Sequence, residues 1–350
     1  MKKFTCYFIV LVISIFSLNI TTFADYNTLN TRQLPSNAIM QLVAENENMG
    51  EIKEFHNLFN ANHQISAYCI DYENGYIIYD NDAVLEFSKE HSSPFLNKDN
   101  CFYFGPLNYY IESDTGFISL ITSSTLKKNE AVELSNSFET KKAKLDKESV
   151  EANICNASSH LANNTRAGNI VNNVQLQYST ILTSGWNSDN TCGSVALTIM
   201  MYYYHQHISG YSLYSNYSSN PYNLYMYLKT WIEPDSSNPG YIGSTGYTLK
   251  NGYNNYGVNT VNVGNKHAYY DNADVMSWGF VYFQISQGEP GVLLLQSHPI
   301  YGNHWVVTIG VYQIMAGDGD HINYYRINDG WGNNSVVVPE TWVDSYVYLD

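Results

Sequence analysis

The sequence predicts an α+β chain built from two folded units, and three observations carry that reading. A polar run from Ser188 to Thr191 stops at Cys192, where a long apolar run begins, as at a helix start. Apolar runs at Gly291 to Gln296, Trp305 to Tyr312 and Tyr324 to Asn328 then read as an antiparallel sheet. A separate group of short strand-like runs lies between Ile65 and Ile121, ahead of a charged and Asn-rich stretch. With 350 residues, 44% of them hydrophobic, the chain has the material for two cores.

The first element is a segment to be discarded. Lys2 and Lys3 precede an apolar run from Phe8 to Leu18, and Thr22-Phe23-Ala24 supplies small residues at a cleavage site. Residues 1–24 therefore read as a secretory signal peptide, and the run is short for a bilayer span of about 20 residues. The chain is expected to be secreted, with no stable membrane insertion. Cysteines are sparse, namely Cys6, Cys69, Cys101, Cys155 and Cys192: Cys6 leaves with the signal, Cys69 and Cys101 could pair, and Cys192 lies in a region with no evident disulfide partner.

Residues 25–166 read as a small α+β unit and a linker. Ile39, Leu42, Val43, Ile52, Phe55, Leu58 and Phe59 recur at helical spacing between Pro35 and Asn60, with Ser36 as cap. Strands follow at Ile65 to Ile70, Tyr76 to Tyr79, Val84 to Phe87, Cys101 to Phe104 and Gly116 to Ile121. From Leu126 to about Asn172 a Lys141 to Lys144 charge run and an Asn/Ser/Ala-rich stretch read as a solvated linker.

Residues 167–350 hold the chemistry. The helix from Cys192 should run to about His207, with shorter helices near Asn223 to Ile232 and Asp274 to Gln287 and a turn at Gly317 to Asp320. A thiol in the first turn of a helix faces unpaired N–H groups and the positive helix end, which favour the thiolate. Gly193 leaves room for a carbonyl beside the sulfur. His304 opens a hydrophobic strand, and Asn328 or Asp329 ends the strand expected to pair with it. Nucleophile, base and orienter are thus all supplied. Asn328 is preferred as orienter, because a neutral amide can accept from the ring while the thiolate–imidazolium pair carries the charge.

These three motifs resemble papain-like cysteine peptidases, and among them the streptopain group of secreted bacterial enzymes. The residues are Thr191-Cys192-Gly193-Ser194-Val195-Ala196, His304-Trp305-Val306-Val307-Thr308-Ile309-Gly310 and Ile327-Asn328-Asp329-Gly330-Trp331-Gly332. The resemblance covers Thr183 to Trp342. It implies a papain-like fold, with the nucleophile helix packed on an antiparallel sheet and residues 25–166 acting as pro-domain and linker. Gly75 to Asp80 and Leu85 to Ser88 are similar to the pro-region of such zymogens. The family ends its third motif Asn-Trp-Gly-Trp-Gly, so Asp329 stands where it has Trp, and Trp331 is kept. Papain-like enzymes carry an oxyanion Gln before the Cys. This chain has none, which implies Asn187 as stand-in and Asn190 as fallback. The Cys192 to His304 separation is shorter than the roughly 130–150 residues usual for papain, which implies a trimmed variant.

The function so implied is a cysteine endopeptidase acting on protein or peptide substrates as a monomer, with no cofactor and no metal. Two alternatives share the sequence features: a Cys-His cell-wall peptide amidase, and a non-catalytic surface binding protein on a degenerate peptidase scaffold. A net charge of −15 argues against nucleic acid as a partner. His205, His207 and His298 make a poor metal site, because residues at i and i+2 on a helix point apart.

Overall fold

The computed structural model describes residues 38–80, 83–156, 169–183, 185–187, 190–238, 243–262, 266–272, 275–298, 302–315 and 321–350. The expected signal peptide, the expected Ser36 cap, Ser188, Asp189 and the turn expected at Gly317 to Asp320 lie outside the described residues. Residues Asn37–Asp350 form one compact unit, and the described residues show an α+β architecture with seven helices on a large mixed sheet. No helix among them is long and apolar enough to cross a membrane.

In the N-terminal part, α1 (Ala38–Asn46) is followed by β1 (Ile52–Phe59), β2 (Ile65–Tyr72), β3 (Gly75–Tyr79) and β4 (Val84–Ser88). Then come β5 (Cys101–Tyr103), β6 (Tyr109–Ser113), β7 (Gly116–Ser119) and β8 (Thr125–Leu126). The helical reading of Pro35 to Asn60 holds only as far as Asn46. Asn48 and Gly50 adopt φ of 51° and 79°, which breaks the helix, and Ile52, Phe55 and Leu58 belong to a strand paired with β2. The linker reading is also corrected: α2 (Lys128–Asn156) is a helix of 29 residues. Ala131, Leu134, Ser135 and Phe138 are its buried stripe, at the i, i+3, i+4, i+7 spacing of an amphipathic helix.

The C-terminal part begins with β9 (Asn169–Gln175) and α3 (Cys192–His207), then β10 (Ser212–Leu213), α4 (Ser215–Ser218), α5 (Pro221–Ile232) and α6 (Gly246–Asn251). After these come β11 (Val261–Asn262), β12 (Ala268–Asn272), α7 (Trp278–Ser286), β13 (Val292–His298) and β14 (Gly302–Met315). The chain ends with β15 (His321–Asn328), β16 (Val336–Pro339) and β17 (Val343–Leu349). Strand order is β12-β17-β13-β14-β15-β16-β4-β3-β2-β1-β5-β6-β7-β8, with β9 on the far half of β14. Every pairing among the described residues is antiparallel except the single Phe59–Phe102 contact of β1 with β5. β16 continues into β4 through Val336–Ser88 and Val337–Phe87, so strands of both halves share one sheet.

Packing is shared as well. Phe87 meets the rings of Tyr312 and Tyr324 edge-on at 5.3 and 6.2 Å, in a cluster with Val43, Ile77, Ile314 and Val337. Beneath them the Arg326 guanidinium, 1% exposed, reaches Glu47 Oε1 at 3.2 Å and Oε2 at 3.3 Å. α3 is buried along almost its whole length and packs on β14 and α5. A helix apolar on most of its faces lies inside the protein.

Candidate active site

The structure starts α3 at Cys192, as the sequence indicates. Its cap does not come from the preceding polar run. Thr191 makes no side-chain cap; its hydroxyl donates to the Trp186 carbonyl (3.2 Å) and meets the Tyr225 hydroxyl (3.0 Å). The cap comes from Glu233, forty residues on. Its Oε1 accepts from the Gly193 N–H and its Oε2 from the Ser194 N–H, both at 3.1 Å, and the Ser244 hydroxyl donates to Oε1 at 2.8 Å. The need for glycine at 193 is therefore local. A Cβ there would overlap Ser244 Oγ and lie 2.8 Å from Leu249 Cδ1 and 2.9 Å from Glu233 Oε1. The expectation that Gly193 clears a path for a carbonyl is replaced by this contact.

His304 sits near the start of β14, opposite Leu295 of β13. Its Nε2 donates to the Asp329 main-chain carbonyl at 2.9 Å, and its ring lies flat on Trp331 with centroids 3.9 Å apart. A proton held on Nε2 by a carbonyl leaves Nδ1 as the basic nitrogen. The backbone N–H of the next residue, Trp305, bonds the Cys192 sulfur, so thiol and imidazole belong to one locus.

The expected orienter makes no hydrogen bond to the ring. Asn328 donates from Nδ2 to Thr180 Oγ1 (2.9 Å) and to the Ile181 carbonyl (2.8 Å), and its Oδ1 accepts from the Gly330 N–H (2.8 Å). Asp329 orients the imidazole through its carbonyl. Its carboxylate folds the turn instead, accepting from Trp331 N (2.7 Å), Asn333 N (3.0 Å) and Asn333 Nδ2 (2.5 Å). The reason is steric economy of a tight turn: both short side chains cap neighbouring N–H groups, as Asn and Asp do in turns.

Asn187 lies beside the same turn. It is 7% exposed, and its Nδ2 has no hydrogen-bond acceptor. That nitrogen and Val195 Cγ1, one helical turn beyond Cys192, each lie 3.4 Å from the position of a Cβ at Gly330. A buried amide donor without a partner is costly and is a group a developing oxyanion could use. Asn190, the fallback, takes a φ of 60° at the bend into the helix.

The electrostatics are those of a neutral pair. Burial and then the Glu233 carboxylate push the Cys192 thiol up to about 12, against the pull of the Trp305 and Gly193 N–H groups. Burial lowers His304 to about 3, opposed by its bond to Asp329. Glu233 and Asp329 are themselves raised above the ordinary carboxylate range, chiefly by burial. A helix end already occupied by a carboxylate cannot stabilise a thiolate, so the expected depression of the thiol does not occur in this state.

Elsewhere, His205 Nδ1 accepts from the Leu213 N–H (3.2 Å), and His207 stacks on Tyr178. Among the described residues no group of His, Cys, Asp and Glu is arranged to hold a metal ion. Cys69 and Cys101 are free thiols. The residue that sequence reasoning missed is Glu233; its one signal was an acidic side chain in an otherwise Tyr-rich segment. No protein-family model matches the chain, and no curated protein matches it.

Proposed function

We propose that the chain is a secreted cysteine endopeptidase made as a zymogen, with a papain-like arrangement of Cys192 and His304. The observation that carries this reading is the held imidazole: Nε2 anchored on the Asp329 carbonyl, the ring flat on Trp331, and the adjoining Trp305 N–H on the Cys192 sulfur. In this scheme His304 Nδ1 takes the thiol proton and the sulfur attacks the peptide carbonyl carbon. A C–S bond forms as the carbonyl electron pair moves to oxygen. The Cys192 N–H and Asn187 Nδ2 donate to that oxyanion. The pair then collapses back, the C–N bond breaks, and His304 gives its proton to the departing amine. Water, deprotonated by His304, attacks the thioester, and the sulfur leaves and recovers the proton. Asn328 and Asp329 build the turn that holds the ring; Trp331 covers it.

The neutral, covered pair suits a precursor. The N-terminal part reaches the same turn: Ser88 Oγ lies 2.7 Å from Ser335 Oγ, and His91 acts electrostatically on Asp329. Wild-type precursor should trim to a product beginning near Arg166, while Cys192→Ala stays full length. Wild type that stays full length and is fully active would remove the zymogen part. Wild type that is inert in every form would favour the non-catalytic alternative.

A further inference from the structure

Glu233 has a role beyond capping. We infer that Glu233 is a positioning residue that keeps Cys192 as a protonated thiol: its carboxylate occupies the helix end that would otherwise stabilise the thiolate. The thiol becomes reactive when that charge is neutralised or withdrawn. The inference concerns the thiol alone and holds whether or not the site is a peptidase.

The geometry is complete at both oxygens. Oε1 takes the Gly193 N–H and the Ser244 hydroxyl, and Oε2 takes the Ser194 N–H. Glu233 and Ser244 come from the C-terminal end of α5 and the segment before α6, so two elements must stay docked on α3 for the cap to persist. Glu233 is fully buried, and its carboxylate, without a cation partner, is held by neutral donors such as these. Its charge therefore acts on the sulfur at low screening. Gly193 is the glycine that lets the carboxylate approach.

The elements packed on α3 carry Lys250 on α6 and His304 on β14, and Glu233 follows α5; Asp329 follows β15. Of these, Glu233 is the leading charge acting on the thiol.

The test is the rate at which iodoacetamide modifies Cys192, followed by the mass of the Cys192 peptide, as a function of pH. Glu233→Gln keeps the shape and removes the charge. A unit charge removed at this range shifts a thiol by about one pH unit or more, so the rate near neutral pH should rise about tenfold or more. Ser244→Ala leaves the carboxyl in place but removes one donor that favours its ionised form, so its rate should rise by much less than that of Glu233→Gln. Equal rates in Glu233→Gln and wild type overturn the inference, and so does equal acceleration in both variants, which would mean simple loosening. Should Glu233→Gln fail to fold, the amide NMR signals of Gly193 and Ser194 in the wild-type protein decide. Both must move together through one titration above the ordinary carboxylate range, and flat signals overturn the inference. None of these readouts requires peptide cleavage, so failure here is separate from failure of the peptidase reading.

Discussion

His304 makes the protein acid-sensitive in a way that can be calculated. Buried beside Trp331, it is lowered from the ordinary 6.5 to about 3. A histidine whose folded value lies below its unfolded value binds fewer protons folded than unfolded, so stability rises with pH across that interval. At 1.36 kcal/mol per unit, the displacement is worth roughly 5 kcal/mol, lost as pH falls from 6.5 to about 3. Glu86 works in the opposite sense. It is buried among Tyr76, Tyr103 and Tyr109, and burial raises it from 4.5 to about 7 against those hydrogen bonds. Its neutral form is favoured by folding, so its contribution is complete below 4.5 and is lost as pH rises to about 7, a loss of roughly 3 kcal/mol. The two slopes oppose each other between about 4.5 and 6.5, and Glu233 and Asp329, also raised by burial, act in the same sense as Glu86. Urea unfolding at a series of pH values measures this directly. Relative to wild type, His304→Gln should lose the acid limb, and Glu86→Gln should gain stability steadily as pH rises from about 4.5 to 6.5. An acid limb in His304→Gln as steep as in wild type would refute the burial of a neutral imidazole.

Two further outcomes follow from packing. Gly193→Ala should destabilise by about 1–3 kcal/mol in urea unfolding, because overpacking against Ser244, Leu249 and Glu233 outweighs the roughly 1 kcal/mol by which Ala favours a helix. Glu47→Ala should cost about 3–5 kcal/mol by leaving the Arg326 charge buried without its partner. Replacing both residues at once with Leu and Met should recover much of that loss, and a Glu47→Ala protein of wild-type stability would contradict the burial of the pair.

The elements that position the chemistry were legible where one local signal dominated. The polar-to-apolar change at Thr191 placed the start of α3, and runs of aliphatic and aromatic residues placed β13, β14 and β15, because a buried helix or strand is mostly apolar. α2 was misread because Lys141 to Lys144 outweighed the stripe Ala131, Leu134, Ser135 and Phe138, although an amphipathic helix shows just that mixture. β1 was misread because Ile52, Phe55 and Leu58 fit a helical period as well as a strand with a bulge. Its register shifts between Ile52 and Glu54 and between Leu58 and Phe59 are set by pairing with β2. At the site, the residue types were visible but not their hydrogen bonds. Asn328 offers the same amide to an imidazole or to Thr180 and Ile181, and only the fold decides between them. Glu233 acts across forty residues of sequence, with no periodicity to connect it to Cys192.

The central claim is that Cys192 is the nucleophile of a peptidase. A substrate-like peptidyl epoxide, added to the trimmed protein, tests it most directly when modification of Cys192 and cleavage of casein are followed in the same samples. The account predicts that the label appears on Cys192 and that casein cleavage falls in parallel with it. Casein cleavage that persists in protein fully modified at Cys192 would contradict it.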